Sequence, residues 1–128
     1  MSIIPSAQTL ADLLNDPEIP REAKPEWMKR RSHKAVHVDD PEGDFLKVVD
    51  KRGYSVFSLY HKEAHRDVFW SISAWMWERG HTPMVMPHTN RRFGAVVPTD
   101  LDARVEAASP VEALAAVVKR VNAAKPAQ

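Results

Sequence analysis

Three of the chain's four tryptophans fall within residues 63–80, EAHRDVFWSISAWMWERG, and no other stretch limits the possible folds as much. The segment reads as one helix. Glu63 and Asp67 stand in its first turns, where negative charge suits the positive end of the helix dipole. Arg79 stands in its last turn, Gly80 can take the left-handed conformation that closes a helix, and Pro83 stops any continuation. Such a helix spans roughly 27 Å, enough to cross a small sheet.

Spaced at about 100° per residue, its side chains divide into three faces. Val68, Phe69, Ile72, Trp75 and Met76 make a broad apolar arc with His65 inside it, and Glu63, Asp67, Ser71 and Glu78 make a narrow polar strip. Trp70 and Trp77 sit together at the border of that strip, beside Arg66 and Ser73. The arc is core. The Trp70/Trp77 pair admits three readings: core rings between the sheet and another helix, an exposed aromatic anchor for a partner or second subunit, or a platform for bases or a planar ligand. The first is favoured, because a helix apolar on so many sides usually lies between two layers. A C-terminal helix is then the natural cover.

Around this helix the chain reads as α-β-β-α-β-β-α. Residues 9–15 carry an apolar stripe, Leu10, Leu13 and Leu14, with Ser6 or Thr9 as cap. Pro17, Pro20 and Pro25 keep residues 16–25 extended on the surface, and Trp27 is expected to pin that arm to the core. Residues 45–49 and 54–61 form a hairpin about a turn at 50–53, whose Gly53 supports positive φ. Residues 83–86 and 93–97 form a second, with Gly94 as a candidate bulge. Residues 99–108 are acidic and read as a loop or short helix. Ser109, Pro110 and Glu112 then open a C-terminal helix with Val111, Leu114, Val118 and Val121 on one face.

The fold class is therefore α+β, with an antiparallel sheet of two hairpins packed on the central and C-terminal helices. Residues 1–28 are a short helix and proline-rich arm and residues 29–128 the α+β core, one domain overall at 128 residues. With no cysteine, there is no disulfide scaffold, thiolate nucleophile or Cys-containing zinc site. There is no secretory-type start and no long apolar run, so a soluble cytoplasmic protein with no membrane contact is expected.

Few residues carry chemistry. Four glycines leave no material for a phosphate loop, dinucleotide fingerprint or nucleophile elbow. Asp39/Asp40 and Asp100/Asp102 are carboxylate pairs that nothing orients towards a base. His33/His37 and His61/His65 share the four-residue spacing that brings two imidazoles to one metal on a helix. Here, however, Lys34–Val38 looks extended, and His61 is expected to end a strand while His65 begins a helix. His88, Thr89, Asn90, Arg91 and Arg92 gather cationic and hydrogen-bonding groups at the second hairpin's tip, able to hold a phosphate or carboxylate or simply to keep that edge polar. Lys29, Arg30, Arg31 and Lys34 make a basic cluster answered by Asp39, Asp40, Glu42 and Asp44, and the net charge of +1 offers no strong nonspecific field for nucleic acid.

These features favour a non-catalytic binding module without a cofactor, acting through protein contact or self-association. The binding candidates are Trp70, Trp77, Arg66, His88, Asn90, Arg91 and Arg92. Two other readings stand beside it. One is nucleic-acid binding through Lys29, Arg30 and Arg31 with Arg91 and Arg92; the other is a His-dependent metal hydrolase using His61 and His65.

Overall fold

The computed structural model describes residues 4–30, 33–38, 44–87, 92–97 and 100–123. In chain order they form α1 (Ala7–Asn15), β1 (Lys34–Val38), β2 (Phe45–Val49), β3 (Ser55–Tyr60), α2 (His61–Glu78), β4 (Met84–Pro87), β5 (Phe93–Val97), β6 (Asp100–Ala107) and α3 (Pro110–Ala123). Two 3-10 turns, Arg21–Ala23 and Glu26–Met28, lie between α1 and β1.

Local chemistry explains the element ends. The Ser6 hydroxyl accepts the Thr9 amide and caps α1. At α3 the Glu112 amide donates to Ser109 Oγ, whose hydroxyl donates to the Glu112 carboxylate at 2.6 Å, closing a box between side chains. Gly53 (φ 86°) makes the β2–β3 turn, where Asp50 Oδ1 accepts the amides of Arg52 and Tyr54. Gly80 (φ 79°) ends α2 in a Schellman arrangement, with the His81 amide bonded to the Met76 carbonyl and the Gly80 amide to the Trp77 carbonyl.

The fold is α+β and antiparallel, as expected, but each hairpin gains a third strand and the strands divide into two sheets, β1-β2-β3 and β4-β5-β6. Residues 34–38, extended in the sequence reading, are β1, paired with β2 from Lys34↔Val49 to Val38↔Phe45. Residues 99–108 are not the expected loop or helix; most of the segment is β6, paired with β5. Its sequence, DLDARVEA, alternates charged and apolar residues, the period of a strand with one solvated face. Gly94 lies inside β5 in regular register; the irregularity comes beyond it, between Ala95 and Val97.

One core runs through both sheets. α1 and α2 pack on the first sheet, α3 packs on the second, and α2 and α3 pack on each other. Residues 16–25 run along the surface as expected, with Pro17, Glu18, Arg21 and Glu22 exposed, but they are not extended throughout, since Arg21–Ala23 forms a 3-10 turn. Ile19, Ala23 and, just beyond, Met28 tie the arm into the core that Leu10 and Leu14 enter from α1. The helix enclosed on most sides is α3, not α2. Val111, Ala113, Leu114, Ala115, Val117 and Val118 are all buried, and the alanines keep its girth small enough for neighbours to approach from several directions. α2 buries one stripe, Ala64, Val68, Ile72, Trp75 and Met76, at helical spacing. Among the described residues no helix is long and apolar enough to cross a membrane.

Candidate functional site

The expectation that Trp70 and Trp77 are core is overturned: they are 75% and 70% exposed, against 5% for Trp75. α3 does reach α2, but α2 has a single buried stripe, and the two rings stand outside it. Arg66, Trp70, Ser73 and Trp77 recur at intervals of four, three and four, so they line one outward strip. Arg66 is exposed there too, its Nε 3.4 Å from Asp67 Oδ1.

Two grooves flank Trp70. The first, of about 560 Å³, lies between Trp70, Ser73, Ala74 and Trp77 on the helix and His81, Thr82 and Pro83 in the segment that follows. The Schellman turn at Gly80 builds its second wall by folding the chain back on leaving α2. Its lining is mostly apolar. The second groove, of about 400 Å³, lies on the other side of Trp70 and Ala74, against the N-terminal arm. Its walls include Trp27, Trp75 and the carboxylates Glu22, Glu26, Asp67 and Glu78, with Lys24 and Lys29 as its cations.

Both cations have partners. Lys29 Nζ is 2.9 Å from Glu26 Oε1, and Lys24 Nζ donates to the Asp16 carbonyl at 3.0 Å. Burial, only partly opposed by Asp16, holds the Lys24 ammonium below its ordinary pKa. Asp67 accepts the Trp27 indole N–H at 3.1 Å, and Trp27 stacks on Phe57 with centroids 5.7 Å apart. These contacts pin the arm as expected and fix that wall. Arg79 covers the Trp75 face, its guanidinium carbon 4.1 Å from the ring centroid.

Of the other sequence candidates, His88, Asn90 and Arg91 lie outside the described residues, as do Thr89, Arg31, Asp39, Asp40, Glu42 and the side chains of Asp100 and Asp102. Arg92 and Arg30 are exposed. His61 opens α2 rather than ending β3, so His61 and His65 do share a helix four residues apart, and the objection to that spacing falls. The His61 ring bonds to the Pro5 carbonyl, while His65 leans on Phe69 with its Nε2 buried and unpartnered among the described residues. Among those residues no group of three His, Cys, Asp or Glu could hold a metal ion. His37 Nε2 lies 3.4 Å from Asp44 Oδ1.

The sequence reading missed the groove walls, His81, Thr82 and Pro83. Gly80 followed at short range by Pro83 was the available signal, since it marks a helix that ends and a chain that cannot resume it. No family model, curated protein or solved structure matches this chain.

Proposed function

We propose that this chain is a non-catalytic binding module that holds a segment of a partner protein on the outward strip of α2. An apolar side chain of the segment fills the groove between Trp70, Trp77 and Pro83. A lysine or arginine beside it enters the second groove. The observation that carries the reading is the pair of exposed indoles, two turns apart on a rigid helix and walling one apolar groove. Tryptophan is the residue most enriched among those that dominate interface energies, and contiguous exposed apolar surface of this kind usually marks a contact site. The charge preference follows from the second groove, where four carboxylates face two lysines already engaged.

Selection of peptides from a random displayed library tests it. Wild-type protein is expected to enrich peptides with a large apolar residue next to Lys or Arg. Trp70→Ala and Trp77→Ala are each expected to weaken those peptides by ~2 kcal/mol or more. No enrichment on the wild type, or equal binding by the Trp70→Ala/Trp77→Ala double variant, would overturn the reading. Nothing comparable favours nucleic acid: Lys29 is neutralised by Glu26, and the chain carries a formal charge of only +1.

A further inference from the structure

The two sheets have four outer edges, and three carry protection against pairing with another chain. β1 is closed by a side chain: Asn15 Oδ1 accepts the Ala35 amide and Asn15 Nδ2 donates to the Ala35 carbonyl, each at 2.8 Å. The amide thus imitates a neighbouring strand. β4 is preceded by Pro83 and ends in Pro87, which have no N–H to offer. The β6 sequence, DLDARVEA, has a charged residue at every second position, a composition that discourages edge pairing.

β3 differs. Residues 54–60, YSVFSLY, contain neither charge nor proline. Among the described residues its outer side receives no backbone hydrogen bond. Tyr54, Val56, Phe57 and Tyr60 are exposed along it. A register shift at its start leaves residues 57–60 in regular pairing with β2, an even template for one more strand.

We infer that β3 is the seam of a two-fold homodimer, in which the β3 strands of two copies pair antiparallel and join their first sheets into one of six strands. Charge complementarity identifies the second copy as the occupant. The strand begins beside a turn where Lys51 and Arg52 outweigh Asp50. At its other end, beside an open groove of about 380 Å³ lined by Phe45, Ser58, Leu59, Tyr60 and Glu63, the carboxylates of Glu63 and Asp44 outweigh Lys62. Antiparallel pairing lays the start of each strand against the end of the other. The basic turn of each copy therefore meets Glu63 of its partner, and Tyr54 of each meets Tyr60, twice over by symmetry. A parallel copy would set like ends together and lose both matches. The seam uses no residue of the α2 strip, so it stands apart from the peptide-binding reading.

Light scattering and sedimentation of the full chain over about 1–100 µM test it. The expected result is a mass rising to twice the 14.5 kDa of one chain. Val56→Glu with Ser58→Glu, both at exposed positions with Lys47 opposite Ser58, is expected to give a folded monomer that still unfolds in one cooperative step, with a melting temperature that no longer depends on protein concentration. Lys51→Glu with Arg52→Glu is expected to raise the dimer dissociation constant about tenfold, and adding Glu63→Lys to the same chain to restore it. Trp70→Ala with Trp77→Ala is expected to leave the dimer intact. A monomer across the whole range overturns the inference. So does a dimer that survives the glutamate pair or is lost with the tryptophans, since the seam then lies elsewhere.

Discussion

At the scale of single residues, two half-buried polar groups make stability depend on pH in different windows. His65 sits against Phe69, and burial first, then the neighbouring His61, hold its pKa below the ordinary histidine value. The folded state thus prefers the neutral ring. As pH falls below about 6.5 the unfolded chain binds the proton first, and stability declines until the folded ring titrates too. His65→Gln is expected to flatten urea midpoints measured between pH 7.5 and 5.5; an unchanged slope would place the dependence elsewhere. Asp16 also loses stability on acidification, but at lower pH and because the folded state prefers its charged form. Burial is the largest influence and acts to raise its pKa, but hydrogen bonds from Lys119 Nζ at 2.8 Å and the Glu18 amide, with the charges of Lys119 and Lys24, hold it low. Its stabilising share is complete above the ordinary aspartate value near about 3.9 and is lost as pH falls through the lowered folded value. Lys119→Met is expected to cost about 1–3 kcal/mol at neutral pH, a gap that begins to narrow below about pH 4 and closes as pH falls through the lowered folded value. A gap that stays constant while the wild type loses stability across that acid range would mean that packing of the lysine stem, not the ion pair, is what the variant removes. Local contacts such as the Ser6 cap and the Ser109–Glu112 box are legible in sequence because their partners stand three residues apart. Asp16–Lys119 and Asn15–Ala35 are not, because packing alone brings those residues together.

At the scale of elements, the distinction that matters is between an apolar residue and a buried one. α2 holds the largest apolar side chains, yet it has one buried stripe and leaves two indoles in solvent. The buried residues of α3 are valine, leucine and alanine, and it is enclosed on most sides. Residue type predicts the stripe well, since Val68, Ile72, Trp75 and Met76 were all expected in the core. It cannot say which helix has neighbours on a second side, because small side chains, not large ones, let two layers close on one helix. β6 shows the complementary difficulty: its alternation is present in the sequence, but its acidic content resembles a loop. The stability of tryptophan variants measures the division of α2 directly. Trp75→Ala empties a site that is 5% exposed and is expected to cost ~3–5 kcal/mol. Trp70→Ala is expected to stay within about 0.5 kcal/mol of the wild type. Equal losses in thermal or urea unfolding would show that both rings are structural and would remove the groove from consideration as a binding face.

At the scale of the whole molecule, the chain runs through the order β-β-β-α twice, from β1 to α2 and from β4 to α3. No repeat is visible in the sequence, and two such units could each fold alone or could share one core. The packing decides between these. α3 of the second unit lies against α2 of the first, and the buried cluster runs without a break from Leu10 in α1 to Val118 in α3. Neither unit can then be opened without exposing apolar surface in the other, and the chain is expected to unfold in one cooperative step. The tryptophans make this measurable, because Trp27, Trp70, Trp75 and Trp77 all precede β4. Their emission reports the first unit, dominated by the shielded rings of Trp75 and Trp27, while far-ultraviolet dichroism reports both. The two signals are expected to share one urea midpoint. Two midpoints, with the dichroism losing part of its amplitude before the fluorescence changes, would mean that β4–α3 opens independently. Truncation after residue 108 extends the same argument. It removes the six buried side chains from Val111 to Val118 and uncovers the α2 face they meet. The shortened chain is expected to lose cooperative unfolding altogether rather than survive with α2 newly exposed to solvent.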